Sequence, residues 1–164
     1  QQQQQQQQQP LCQQRQVKHS TMLQSQLQQP HSRQQEIVAK CFDPSLHTSM
    51  LELLKPSPQQ TPLLQPTLEI ATALRGHALS LANDRHGCRV LQALLEVAPL
   101  DVRLHLIGEM LGRFKALVTH MHGNFVVQRS IECLPAEHLG NIIQEIQSEA
   151  VELSMHPYGC RTIQ

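Results

Sequence analysis

The sequence predicts an all-α fold, a right-handed solenoid of three-helix, 36-residue repeats that follows a disordered, glutamine-rich tail. Three observations predict it. A glycine-led hexamer recurs every 36 residues, as GCRVLQ from Gly87, GNFVVQ from Gly123 and GCRTIQ from Gly159. Apolar residues within each unit recur at three- and four-residue steps, and the units show neither strand-like alternation nor hairpin turn signals. Helical repeats of this kind stack into an α-solenoid, because each unit buries its apolar face against its neighbours.

Residues 1–66 are predicted to form the mostly disordered tail and linker. The first 60 residues contain twenty glutamines, nine of them in an unbroken run at the start. Such a segment buries too little apolar surface to offset a backbone ordering cost of roughly 1–2 kcal/mol per residue. Two apolar clusters interrupt it, EIVAKCF and SMLELL, and a hydroxyl of Thr48 or Ser49 could cap a helix that begins near Met50. The proline-rich stretch that ends at Pro66 is predicted to be an extended linker.

The repeats are predicted to occupy residues 67–164, as units 67–99, 100–135 and 136–164. Each unit has a first helix with an apolar stripe, a short second helix and a third helix that follows the recurring glycine. Beyond the hexamers, the 36-residue shift aligns Leu81, Leu117 and Leu153, and Glu109 with Glu145. Since the last unit stops within its third helix, we expect this chain alone to fold marginally and to bind weakly.

Three positions of each third helix carry the candidate chemistry. The first and the last are four residues apart, so they share a helix face about 6 Å apart. The middle position is rotated toward the neighbouring unit and always carries a flat side chain. The sets are Cys88, Arg89 and Gln92; Asn124, Phe125 and Gln128; and Cys160, Arg161 and Gln164.

This chemistry suits a row of nucleobases. A glutamine amide both donates and accepts, so it can pair with the polar edge of a base. Asparagine beside it suits the two carbonyls of uracil, whereas the small cysteine leaves room for a purine. Arginine or phenylalanine between units can stack on the bases, which is worth roughly 1–3 kcal/mol per base.

With these residues in register, the sequence resembles the Pumilio family of RNA-binding repeat proteins from about Thr67 to Gln164. The segments that carry the resemblance are RGHALSLANDRHGCRVLQ, HGNFVVQRSIECLP and HPYGCRTIQ. The resemblance implies a curved stack that reads one base per repeat on an antiparallel RNA strand. By the family's pattern, Cys88 with Gln92 reads adenine, Asn124 with Gln128 reads uracil, and Cys160 with Gln164 reads adenine. Arg89, Phe125 and Arg161 then stack on the bases, and the implied core is 5′-A-U-A-3′.

The same resemblance implies the wider function. The chain is expected to bind single-stranded RNA in mRNA 3′ untranslated regions and to take part in translational repression or mRNA decay. Protein co-repressors would bind the convex face, and neither a cofactor nor a small-molecule substrate is implied.

Charge and cysteine content bound these expectations. The chain has 13 basic and 13 acidic side chains, and from Thr61 onward eight basic residues stand against ten acidic ones. Bulk attraction to nucleic acid is therefore absent, and RNA binding has to come from local geometry. Five widely separated cysteines favour reduced thiols, and no apolar run approaches the roughly 20 residues that span a bilayer. A cytoplasmic protein without a membrane partner is the expectation.

Other functions are weighed against RNA binding. Cys88 beside His86 lacks the orienting third group of a nucleophilic site, and Asn124 occupies the equivalent position, so an enzyme is not expected. His120 and His122 lack the further ligands of a metal site and are interpreted as turn or surface residues. The alternative from another class is a solenoid that binds only protein. Flat side chains between glutamine edge readers in every unit favour RNA.

Overall fold

The computed structural model describes residues 31–55 and 64–164, and every regular element within these ranges is helical. This confirms the predicted all-α class. No helix in the described ranges is both long and apolar enough to cross a membrane. The helices are α1 (31–42), α2 (His47–Leu53), α3 (Leu64–Ala73), α4 (Ala78–Asn83), α5 (Gly87–Val97), α6 (Leu100–Gly108), α7 (Phe114–Val118), α8 (Gly123–Cys133), a 3-10 turn (Ala136–His138), α9 (Gly140–Gln147), α10 (Ala150–Met155) and α11 (Cys160–Ile163).

The helices after the linker group into three similar units, α3–α4–α5, α6–α7–α8 and α9–α10–α11. Within each unit the second helix packs against the third. Between units the third helices pack side by side, α5 against α8 and α8 against α11. We call α5, α8 and α11 the third-helix row. The arrangement confirms the three-helix, 36-residue repeat.

The core is built from the residues that the 36-residue shift aligns. Leu81, Leu117 and Leu153 of the second helices are at most 2% exposed. The first helices contribute equivalent buried residues, namely Ile70, Leu106 and Ile142. One apolar stripe per helix therefore meets the next helix, as the periodicity predicted.

The recurring glycine is required by close packing of the second helix on the third. A Cβ atom built on Gly123 would lie 2.8 Å from Leu117 Cδ2 and 2.9 Å from the Leu117 carbonyl oxygen. A Cβ on Gly87 would lie 2.8 Å from Leu81 Cδ2. Only a residue without a side chain lets the two helices approach this closely.

The predicted domain boundary at Thr67 is too late in the chain. The compact unit runs from Ile37 to Gln164. Cys41, Met50 and Leu54 are buried in its core, and α2 packs against α5. The physical reason is that the two apolar clusters of this segment pack into the same hydrophobic core as the repeats. The disorder predicted for residues 1–30 and 56–63 lies outside the described residues.

Two local predictions in this segment are also corrected. The predicted hydroxyl cap of α2 is absent, because Thr48 and Ser49 donate back to the carbonyls of Ser45 and Leu46. Asp43 closes the turn instead: its Oδ1 accepts from the backbone N–H of Ser45 at 2.7 Å. Pro66, predicted to end an extended linker, lies in the first turn of α3, where the backbone needs no N–H donor.

Candidate functional site

Each helix of the third-helix row follows a turn that is closed by the side chain three residues before the recurring glycine. Asp84 Oδ1 accepts from the backbone N–H of His86 at 2.8 Å and of Gly87 at 2.7 Å. His120 Nδ1 accepts from His122 and Gly123, both at 3.2 Å. His156 Nδ1 makes the same pair of bonds to Tyr158 and Gly159. The interpretation of His120 as a turn residue is therefore confirmed.

The first residue of each predicted base-reading set sits at this turn and donates to the carbonyl three residues earlier. Cys88 Sγ donates to the Arg85 carbonyl at 3.4 Å, and Cys160 Sγ to the Pro157 carbonyl at 3.7 Å. Asn124 Nδ2 donates to the Met121 carbonyl at 3.1 Å. The three positions are thus equivalent in structure as well as in sequence.

The last residue of each set lies one turn further along the same helix face. Gln92 Nε2 donates to the Cys88 carbonyl at 2.9 Å, and Gln128 Nε2 to the Asn124 carbonyl at 3.2 Å. Among the described residues, no group donates a hydrogen bond to the amide oxygen of Gln92 or Gln128. Both side chains are half-buried, whereas Gln164 is exposed. Each glutamine therefore keeps an acceptor that an incoming group can use.

Asn124 differs from what the sequence suggested. It is fully buried, and its Nδ2 also donates to the His120 carbonyl at 2.8 Å. Its Oδ1 accepts from Gln128 Nε2 at 3.2 Å, which confirms that the pair shares one face. The Asn124 amide therefore holds the first turn of α8 together, and its contact with a base stays a prediction.

A cavity of about 450 Å³ brings the first set together with a flat residue of the next unit. Cys88 and Gln92 line it from α5, with Arg89 beside them and Phe125 from the neighbouring α8. Arg89 and Phe125 are exposed, Phe125 by 41%. The structure thus brings a polar edge and two flat side chains together around one space, and the contact of these four residues with a base stays a prediction.

The middle residues of the second and third sets meet across the unit boundary. The Arg161 guanidinium carbon lies 5.8 Å from the centre of the Phe125 ring. This is within the range of a cation–π contact. The predicted orientation of the middle position toward the neighbouring unit is therefore seen for Phe125 and Arg161.

Sequence reasoning missed four residues that line the same cavity. They are His47, Arg85, His86 and His122. The rings of His47 and His86 lie 4.4 Å apart between centroids. One signal was available, because His86, His122 and Tyr158 are ring side chains spaced by 36 residues. No such signal in the sequence indicated that His47 would pack against His86, because α2 lies outside the repeat pattern.

The cysteines of this region have the properties of packed thiols. Burial raises the pKa of the Cys88 thiol, and the nearby Asp84 carboxylate raises it further. Burial also raises the pKa of Cys133. The four cysteines of the described residues, Cys41, Cys88, Cys133 and Cys160, are free thiols. Since the thiolate is the nucleophilic form, its suppression at Cys88 favours a packing role.

Sequence comparison places these repeats among known proteins. The model of the NOP9-like PUF repeat domain matches residues 22–157. Pumilio homolog 1 of Xenopus laevis is 43% identical over 99 residues, covering 60% of this chain and 8% of that protein. Suppressor protein MPT5 of Saccharomyces cerevisiae is 33% identical over 88 residues, covering 52% of this chain and 10% of that protein. The chain therefore spans only a small part of these relatives' length.

Solved structures show the same architecture. The Puf3 RNA binding domain bound to a Cox17 RNA 3′ UTR recognition sequence (site B) superposes with a TM-score of 0.71 at 23% identity, over 79% of this chain and 35% of that one. PUF-8 in complex with PBE-RNA gives 0.71 at 18% identity, over 80% and 38% of the two chains. At this identity the likeness establishes the fold. Together with a family model that covers most of the sequence, it shows that the chain belongs to the PUF repeat family.

Proposed function

We propose that this chain binds single-stranded RNA along the third-helix row, with one base per repeat and a 5′-A-U-A-3′ core. The observation that carries the proposal is the cavity at α5 and α8. There Cys88 and Gln92 form a polar edge, and Arg89 and Phe125 present flat side chains on either unit. A planar, hydrogen-bonding ligand matches this combination.

The geometry supports a base rather than a peptide backbone as the ligand. The glutamine amide nitrogens are anchored to the helix, so their oxygens are positioned acceptors for an exocyclic amine or a ring N–H. The small Cys88 leaves space beside Gln92 for a purine. Exposed Arg89 and Phe125 provide stacking surfaces, which single-stranded RNA uses because its bases are unpaired.

The hydrogen bonds at the start of each third helix repeat along the row, at an interval of 36 residues in the sequence. α5, α8 and α11 pack side by side, and their first residues make equivalent hydrogen bonds. A ligand with regularly spaced planar groups can therefore contact successive units in the same way. Related PUF domains have been solved with RNA bound, which supports RNA as that ligand.

The biological setting belongs to the same proposal. The RNA is the 3′ untranslated region of cytoplasmic mRNAs, and the outcome is translational repression or decay with the help of protein co-repressors. A 3′ UTR sequence is the ligand in the solved Puf3 domain. This supports that class of target for the present chain.

Titration of a library of short RNAs with all sixty-four central triplets tests the proposal. We expect A-U-A to rank first and Gln92→Ala to weaken binding most for RNAs with adenine at the position read by α5. Gln144→Ala, an exposed change on α9 outside the row, is the matched control and should leave the ranking unchanged. Equal, negligible binding of all triplets would instead favour a solenoid that binds only protein.

A further inference from the structure

The cavity at α5 and α8 has a second wall, of which the proposed base recognition uses only Arg89. Its ionisable lining apart from Cys88 is entirely basic: Arg85, Arg89, His47, His86 and His122. No aspartate or glutamate of the described residues lines it. Since the whole chain carries zero formal charge, this is a local concentration of basic groups.

Packing holds part of this wall in place. His47 is 6% exposed, and its Nδ1 lies 3.2 Å from the Asp43 carbonyl oxygen. Because a carbonyl only accepts, Nδ1 carries the proton and donates. The ring then packs against His86 at 4.4 Å between centroids. α2 therefore supports His86 from behind, which leaves Arg85 and Arg89 exposed beside it.

The carboxylates near the wall are engaged elsewhere. Asp84 Oδ1 accepts from the backbone at the start of α5, and Asp43 Oδ1 from the backbone before α2. On α8, the His120 ring Nδ1 accepts from two backbone N–H groups, so that nitrogen is unprotonated. The groups left to meet a ligand are thus the two arginines and the rings of His86 and His122.

An anion is the ligand that such a wall binds. Arginine and protonated histidine form charge-assisted hydrogen bonds to phosphate, which are stronger than neutral ones. At about 450 Å³ the cavity lies within the range of small-ligand sites.

We infer that the wall formed by Arg85, His86 and Arg89 binds a phosphate group next to the base held by Cys88 and Gln92, with His47 supporting His86. The inference rests on the proposed RNA binding and extends it. The phosphate belongs to the RNA backbone or to a free nucleotide.

The test is a methylphosphonate scan of a nine-nucleotide RNA with A-U-A at its centre, in which each linkage in turn is made neutral. Neutralising one linkage beside the base read by α5 should weaken binding about tenfold. His86→Gln should weaken binding of the unmodified RNA and reduce the effect of that neutral linkage. His86→Lys should bind at least as tightly as the natural chain, because lysine supplies a permanently charged donor. His138→Gln, in the 3-10 turn, is the matched control. Adenosine monophosphate titrated against the same variants distinguishes a free nucleotide from the backbone.

The outcomes separate this inference from the function on which it rests. RNA binding that is indifferent to every single neutral linkage and to His86→Gln overturns the phosphate site alone. Failure of every RNA and of adenosine monophosphate to bind overturns both. Tighter binding of adenosine monophosphate than of A-U-A, lost in His86→Gln, supports the phosphate site with a free nucleotide as its source.

Discussion

Glu109 and Glu145 stand 36 residues apart, and each uses both carboxylate oxygens to hold the repeat before its own. Glu145 accepts from the backbone N–H of Gly112 at 2.6 Å and of Phe114 at 3.0 Å. Glu109 accepts from Gly76 at 2.8 Å and Ala78 at 3.0 Å. These N–H groups lie at the turn into a second helix, where they lack a helical acceptor. The pair therefore joins neighbouring units at equivalent points.

Removing this connection should destabilise the array. Glu145→Gln keeps the size of the side chain but removes its charge, and it leaves one backbone donor facing an amide nitrogen. Because hydrogen bonds to charged groups contribute about 1.5–3 kcal/mol, we expect a loss of about 2 kcal/mol in the free energy of unfolding. Urea denaturation measures it. Glu137→Gln, an exposed change in the 3-10 turn, should cost almost nothing. Equal stabilities for the two variants would show that the carboxylate adds nothing to the unit interface.

Gly123 provides a second stability test. Gly123→Ala places a methyl group against the backbone and side chain of Leu117, with no open space to receive it. Overpacking of this kind costs about 1–3 kcal/mol. Gly108, the last residue of α6, has no atom within 4 Å of a built Cβ. Gly108→Ala should therefore be neutral or stabilise by up to about 1 kcal/mol through helix propensity. Thermal unfolding of both variants measures these changes in stability. If Gly123→Ala were as stable as the natural chain, α7 and α8 would be able to move apart without cost.

The third-helix row was predictable because its information is periodic. Gly87, Gly123 and Gly159 mark the turns, and the residues that follow them repeat in place and in hydrogen bonding. What periodicity misses is contact outside the repeat. Leu51 lies 36 residues before Gly87, where the pattern would place a further glycine, so the repeat pattern does not extend to α2. The packing of α2 on α5 includes the contact between His47 and His86. It joins two segments that share no sequence repeat, so periodicity could not predict it.

The burial of Asn124 was equally hidden. An asparagine between a turn and a helix can face a ligand or close the turn, and both roles have the same local sequence. The choice depends on the carbonyls of His120 and Met121, which only the folded turn brings within reach. The sequence identified the position of Asn124 at the start of the helix but could not predict which groups its side-chain amide would bind.

Cys41 should make the stability of the protein depend on alkaline pH. Burial raises the pKa of its thiol from 9.0 to about 11. Between these values the unfolded chain releases the proton while the folded chain retains it, so stability falls as the pH rises. Cys41→Ala removes this contribution, and the difference in unfolding free energy between the natural chain and the variant should shrink from pH 9 to pH 11. Met50→Ala, a buried residue of the same segment that does not titrate, should show a constant difference. A constant difference for Cys41→Ala as well would contradict the buried thiol.

Base identity at α8 tests the reading of the row most directly. In a chain with both Asn124→Ser and Gln128→Glu, the carboxylate can accept from N1–H and N2–H₂ of guanine, where the glutamine amide supplies only one acceptor. The serine hydroxyl can still donate to the His120 or Met121 carbonyl, so the first turn of α8 keeps a bond that alanine would lose. Since a good bidentate pair discriminates by about 1–3 kcal/mol, A-G-A should overtake A-U-A by about tenfold or more in competition titrations. Gln144→Glu adds the same charge on α9 and should leave uracil preferred. If the doubly substituted chain, with native helicity, still ranks uracil above guanine, then Asn124 and Gln128 do not choose the base.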